Sequence, residues 1–234
     1  MKILADIEDK GKIPSNSVFD DLLDGGFERG VLTQIYGPPS SGKSNITLSL
    51  AVNVAKSGKK VVYIDTEGGI SIERIKQISQ PYFSNVASNI IVFEPSDFLQ
   101  QTETLRSIDV WLRKNHDDVD LIILDSAVAL YRVDDMKSYK LSKELRKHIK
   151  LLSNIANRYG IAAILTNQIY NAFDEDGNNE IKAVGGDIIE YITKDIIQLD
   201  RSDDINQRTA TIIRHNSIPS GRQVTFSITS NGIV

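Results

Sequence analysis

Cysteine is absent from the 234 residues, which excludes disulfides and thiolate metal sites. Histidine is scarce: His116, His148 and His215 stand far apart, at no spacing that suits a metal. Long apolar runs are missing as well. None approaches the roughly 20 residues that span a bilayer, and the N-terminus lacks the apolar stretch of a signal peptide. Neither sign of charge dominates, since 27 Lys and Arg against 31 Asp and Glu give a formal charge of −4. Any contact with nucleic acid must therefore come from a local patch. These absences lead us to expect a cytoplasmic protein with no membrane segment. What remains, 41% hydrophobic and 25% charged, is ordinary for a globular chain. Its length suits one α/β domain with a full core. We expect a short lead-in over residues 1–15 and a single domain over 16–234.

The strongest local signal is Gly37-Pro38-Pro39-Ser40-Ser41-Gly42-Lys43-Ser44, which fits G-x-x-x-x-G-K-[ST]. An apolar, β-branched run, Val31 to Tyr36, precedes it, and Asn45 to Ala55 follows with helical spacing. Strand, loop and helix in that order aim a helix N-terminus at bound phosphate. In this arrangement backbone N–H groups from Gly37 to Asn45 cradle the phosphates, Lys43 reaches the outer ones, and the Ser44 hydroxyl sits on Mg²⁺. Further apolar strands read at Val61–Asp65, Asn89–Phe93, Asp120–Asp125 and Ile161–Asn167. Helical patterns alternate with them at Ser71–Ser79, Asp97–Asn115 and Met136–Tyr159. Alternation of this kind predicts an α/β fold with a mostly parallel sheet and helices on both faces. From Asn171 to Gly186 the chain is polar and aperiodic and reads as a mobile loop. Ile196–Asp200, Thr209–Arg214 and Gln223–Thr229 read as antiparallel strands added to the sheet's edge.

Three residues at strand ends join the loop as candidates. Asp125 closes an apolar strand, where a carboxylate would hold the Mg²⁺ shell beside Ser44; without the loop it would be an ordinary strand end. Glu67, just past the Val61–Asp65 strand, is placed to polarise an attacking water, or else is a solvated loop residue. Gln168 is placed to hydrogen-bond a γ-phosphate in one nucleotide state and release it in the other, or to cap its strand. On the helix after Asp125, Lys140, Lys143, Lys147 and Lys150 line one side, opposite Leu141, Leu145, Ile149, Leu152 and Ala156. The lysine stripe is either a solvated face or a set of contacts to the DNA backbone. Arg214, His215 and Arg222 form a second, weaker basic group.

Four markers now stand in order: the Gly37–Ser44 loop, Asp65-Thr66-Glu67, Leu124-Asp125-Ser126 and Thr166-Asn167-Gln168. Together they resemble the ATPase core of the RecA/RadA recombinase family. Gly26 to Gly37 and Ile218-Pro219-Ser220-Gly221 are similar to its archaeal and eukaryotic branch, above all to a short archaeal paralogue of RadA. The resemblance implies a RecA-type core that binds ATP and Mg²⁺, with Glu67 as water-activating glutamate and Gln168 as γ-phosphate-sensing amide. It places a DNA-facing loop at 170–186; the aromatics there, Tyr170 and Phe173, either stack on bases or pack locally. The implied role is homologous recombination and DNA repair, as a regulator or mediator beside the main recombinase, with single-stranded DNA, RadA and other repair proteins as partners. Two departures qualify it. No Phe-x-x-Ala motif stands upstream of the core, so an oligomer is open but a filament is not expected. The 170–186 stretch sets Asp174, Glu175, Asp176 and Glu180 against one lysine, Lys182, which disfavours phosphate there. Weak ATPase activity with modest DNA binding is the first expectation. An ATP-switched protein-binding adaptor is the alternative.

Overall fold

The computed structural model describes residues 3, 10–132, 138–173, 179–184, 186–202, 204 and 206–234; within these, the side chains of 138–141, 170–173, 179–183 and 186 are not described. In chain order the elements are β1 (Lys12–Ile13), α1 (Val18–Leu22), β2 (Phe27–Glu28), β3 (Leu32–Tyr36), α2 (Lys43–Lys56) and β4 (Lys60–Asp65). Next come α3 (Ile72–Ser79), α4 (Phe83–Asn89), β5 (Ile90–Phe93), α5 (Phe98–Asn115), β6 (Val119–Asp125), α6 (Ala129–Arg132) and α7 (Ser138–Tyr159). The chain ends with β7 (Ala162–Asn167), β8 (Ile169–Phe173), β9 (Asn179–Ala183), α8 (Gly186–Ile192), β10 (Asp195–Arg201), β11 (Gln207–Arg214), β12 (Gln223–Thr229) and β13 (Gly232–Ile233).

Nine strands form one sheet in the order β13-β12-β11-β10-β3-β7-β6-β4-β5. The stretch from β10 to β5 is parallel, and β11 to β13 add antiparallel strands at one edge. Alternation along the central strands explains why both faces are covered. Val61, Tyr63, Leu121, Ile123 and Ile164 point to one face, which α1 to α4 cover through Phe19, Leu50, Ile75 and Val86. Val62, Ile64, Ile122, Leu124 and Leu165 point to the other, which α5, α7 and α8 cover through Leu105, Ile149 and Ile189. Local signals set the helix starts. The side chains of Ser17, Ser71 and Asp97 each accept an N–H of the helix they precede. Among the described residues no helix is long and apolar enough to cross a membrane.

Several elements differ from expectation. The stretch after Ile169 is a β-hairpin rather than an irregular loop, with β8 and β9 paired from Ile169↔Ala183 to Phe173↔Asn179. A two-stranded ribbon satisfies its backbone groups whatever the polarity of its side chains, and Asp176-Gly177 is a hairpin signal in the sequence. Residues 174–178 lie outside those described, as do Met136 and Lys137 at the expected start of α7. Helices α4, α6 and α8 are additional, as are the two-residue strands β1, β2 and β13; of the α4 residues only Val86 is buried, too little to show as a periodic pattern.

On the buried face of α7, His148 is fully enclosed, its Nε2 2.9 Å from Gln101 Nε2 and its Nδ1 3.3 Å from Thr102 Oγ1. Burial pushes the imidazole down to about 3, so it folds neutral. The folded value lies below the ordinary 6.5. Its stabilising share is therefore complete above pH 6.5 and is lost as the pH falls towards 3. Urea denaturation between pH 7 and pH 4 should show the wild type losing stability more steeply than His148→Gln, by on the order of one proton per molecule. Parallel slopes would refute this account of the residue.

Candidate nucleotide site

The loop from Gly37 to Ser44 leaves the C-terminal end of β3 and turns directly into α2. Two glycines make the turn possible. A Cβ on Gly37 would lie 2.4 Å from the Leu199 carbonyl oxygen, so the backbone approach there admits no side chain. Gly42, the residue before α2, has φ +102°, the left-handed region, with Ile228 and Phe226 packed against the position a Cβ would take. Helix α2 begins with no side-chain cap and no acidic residue in its first turn. Its leading N–H groups are thus presented to the cleft, the arrangement that receives an anion. Lys43 Nζ lies inside the loop, donating to the carbonyls of Gly37 and Pro38 at 2.9 Å each. Burial pushes this amine down, Asp125 and Glu67 oppose the shift, and Arg201 adds to it. A cation partly stripped of water is what an incoming polyanion would stabilise.

Across the cleft, the ends of β3, β7, β6 and β4 lie side by side, with Tyr36 opposite Asn167 and Asp65 opposite Asp125. Asp125 is held at both oxygens. Thr166 Oγ1 donates to Oδ1 at 2.5 Å and Tyr63 OH donates to Oδ2 at 2.8 Å. The Tyr63 hydroxyl also lies 3.0 Å from Thr47 Oγ1, which donates to the Ser44 carbonyl at 3.0 Å. One chain of bonds therefore runs from the loop's helix through β4 to the β6 carboxylate and on to β7. Burial, and then the Asp125 charge, push the Tyr63 phenol well above its ordinary 10, so it stays a donor. Asp65 shapes the next turn by accepting the N–H groups of Glu67 and Ile70, at 3.1 and 2.9 Å.

The predicted residues converge. Lys43, Ser44, Asn45, Glu67, Asp125 and Gln168 line one cleft of about 230 Å³, with Pro39, Ser40 and Gly42 on its loop side. Gln168 Nε2 donates to Glu67 Oε1 at 3.0 Å, and Arg132 Nη1 donates to Gln168 Oε1 at 2.7 Å. Arg132 escaped the sequence reading, as did Tyr63, Thr47 and Thr166. Two other arginines brace the loop: Arg74 Nε donates to Asn45 Oδ1 at 2.9 Å, and Arg201 donates to the Pro39 carbonyl.

The basic residues fall elsewhere. Lys143, Lys147 and Lys150 are exposed on α7, and Lys147 is paired with Glu144 at 2.7 Å. The side chains of Lys140 and Tyr170 lie outside the described residues. Arg214 donates to the carbonyls of Glu190 and Thr193, tying β11 to the end of α8. Arg222 pairs with Asp24 at 2.6 Å. His215 has only 1% of its side chain exposed. The basic group inferred near the C-terminus is thus largely engaged within the fold.

A mostly parallel sheet whose strand β3 opens through a glycine-rich loop into a helix, with a carboxylate ending strand β6, defines a RecA-type P-loop protein. Comparison with known proteins agrees. A family profile, Rad51, matches residues 13–234. The "DNA repair and recombination protein RadB" of Methanobrevibacter smithii is 62% identical over the full length of both chains. The protein of the same name from Methanothermobacter thermautotrophicus is 43% identical, again over all of both. A solved structure titled "Crystal structure of the RadB recombinase" superposes with a TM-score of 0.79 at 33% identity, covering 94% of this chain and 98% of that one. The chain belongs to the Rad51 family, in its archaeal RadB branch.

The Tyr63–Asp125 bond is open to direct test. Tyr63→Phe should lower Mg²⁺-dependent nucleotide affinity about 10-fold, as loss of a partner behind a metal ligand does. It should also cost about 1–2 kcal/mol of stability. Titration of a fluorescent nucleotide with and without Mg²⁺, beside urea denaturation, reads both. Unchanged Mg²⁺ dependence would show that the phenol does not orient the carboxylate.

Proposed function

We propose that this chain binds ATP with Mg²⁺, hydrolyses it slowly, and acts in homologous recombination and DNA repair beside the main recombinase. The supporting observation is the cleft itself, in which an uncapped helix start and Lys43 face a braced Asp125, with Glu67 and Gln168 at the rim. The donor set fits the cofactor. Loop N–H groups and Lys43 would hold the phosphates, and Ser44 with Asp125 would hold the metal. Bound ATP supplies the phosphoanhydride to be cleaved, and Mg²⁺ offsets charge on its oxygens.

The chain's own residues then divide the work. Glu67 accepts a proton from the attacking water, Lys43 and the helix start stabilise charge on the phosphate oxygens, and Gln168 senses the outermost phosphate. Slow turnover is expected of a site whose cations are engaged with the loop. Arg74 and Arg201 brace Asn45 and Pro39, and Arg132 is engaged by Gln168, so among the described residues each of these arginines is already committed and charge on the leaving phosphate calls for a further cation. The names of the RadB relatives support the repair role, and RadA and single-stranded DNA are the partners this reading expects.

Glu67→Gln should keep nucleotide binding while lowering ATP turnover by about 10²–10⁴. Lys43→Ala should lose nucleotide retention outright. Turnover indifferent to Glu67→Gln, or nucleotide held equally well by Lys43→Ala, would overturn the assignment. For DNA, the combined replacement of Lys140, Lys143, Lys147 and Lys150 by Ala should weaken single-stranded DNA binding and flatten its salt dependence by about 0.7 units per lost contact. An unchanged slope would return the stripe to a solvated face.

A further inference from the structure

At the end of the sheet opposite the cleft, where the parallel strands β3 and β10 begin, three side chains meet that no part of the nucleotide site uses. Glu28 ends β2, Asp195 begins β10 beside Thr33 of β3, and His215 follows the last residue of β11. One ligand atom from each lies within 4.8 Å of the others. His215 Nε2 is 3.7 Å from Glu28 Oε1 and 3.7 Å from Asp195 Oδ2.

These spacings are too long for hydrogen bonds. They are close to those of ligands around one ion bound at about 2.1 Å, which lie roughly 3–4 Å apart. The side chains of His215 and Asp195 are 1% and 2% exposed, yet His215 Nε2 and Asp195 Oδ1 are buried with no hydrogen-bond partner among the described residues. A folded protein seldom leaves such atoms unsatisfied. Two carboxylates this close also repel each other unless a cation lies between them. Lys12 does not fill the gap, since its Nζ donates to the carbonyls of Leu23 and Asp24.

We infer that Glu28, Asp195 and His215 form a binding site for one divalent transition ion, of the Zn²⁺ or Mn²⁺ class, that clamps β2, β10 and β11 together. One imidazole and two carboxylates suit such an ion and disfavour Mg²⁺, which prefers oxygen and retained water. Loading sets a condition on the ring. Nε2 must offer its lone pair, so Nδ1 carries the proton and donates it to Ser217 Oγ, 3.3 Å away. The weak contact of the Ser217 N–H with Nδ1, at 3.2 Å, must then open. A proton on Nε2, held between the two carboxylates, is the rival occupant.

The probe is Zn²⁺ alone, added to the full chain after EDTA treatment and without nucleotide. The background is Asp125→Asn, which removes the cation ligand of the nucleotide cleft. Calorimetric titration should give one saturable Zn²⁺ per chain, and the thermal midpoint should rise with Zn²⁺ concentration but not with equal Mg²⁺. Adding His215→Gln or Asp195→Asn should abolish both effects. Glu28→Gln, at the most exposed of the three, should weaken them in a chain whose far-UV spectrum is unchanged. Absence of saturable binding, or binding that survives His215→Gln and Glu28→Gln, would overturn the site and leave a proton as its occupant.

Discussion

A hydroxyl inside the sheet sets the geometry of this molecule. Tyr63 lies almost wholly buried, and its phenol needs a partner; leaving it unpaired would cost about 1–3 kcal/mol. It finds one acceptor in Asp125 and another neighbour in Thr47, and Thr166 fixes the carboxylate's other oxygen. Four elements are thereby held in one register: α2, β4, β6 and β7. The strand ends come level, and Glu67, Asp125 and Gln168 open onto the same cleft as Lys43. Altering any of these hydroxyls would disturb the direction of the carboxylate that the proposed function assigns to Mg²⁺.

Much of this was legible in the sequence, for physical reasons. Parallel strands buried on both faces must be continuously apolar, so β4, β6 and β7 announce themselves. A loop that admits no Cβ at Gly37 and turns left-handed at Gly42 must be written with glycine there. What stayed hidden was whatever depends on the partner rather than on the residue. Tyr63 reads as one more apolar strand position, and only the neighbouring β6 makes it a donor. Arg132, at the end of the short helix α6, looks like any helix-end arginine until Gln168 is placed beside it. Glu28, Asp195 and His215 are so far apart in the chain that no spacing rule could join them. Hairpin β8–β9 failed for another reason: its pairing lies in the backbone, which polar side chains do not betray.

Charge is where composition misleads most. Counted from sequence, the C-terminal arginines make a basic group. In the fold, Arg214 is bound to two carbonyls and Arg222 to Asp24. An arginine that caps carbonyls stabilises the chain, and drawing it to a phosphate backbone would expose those carbonyls unpaired. Lys143 and Lys150 carry no comparable internal engagement among the described contacts, and they stand exposed on α7. Contact with an anionic polymer is therefore more economical on this helix than at the C-terminus.

The same reasoning bears on how the cleft would speak to the rest of the protein. Gln168 stands at the root of the hairpin: its carbonyl accepts the Val184 N–H at 2.8 Å, and Asn167 Nδ2 donates to the Val184 carbonyl at 2.7 Å. Its side chain meanwhile bridges Glu67 and Arg132. The amide nitrogen has a second N–H beyond the one given to Glu67, so Gln168 can offer that hydrogen to a terminal phosphate where it stands; swinging the whole amide round to the phosphate releases Glu67, Arg132 or both. Releasing Glu67 frees the carboxylate that the proposed chemistry needs as a base. Releasing Arg132 frees the end of α6, just ahead of α7 and its lysines. In the proposed function, phosphate recognition, base activation and the hairpin's root thus draw on one residue, and a nucleotide that swings its amide round biases all three together.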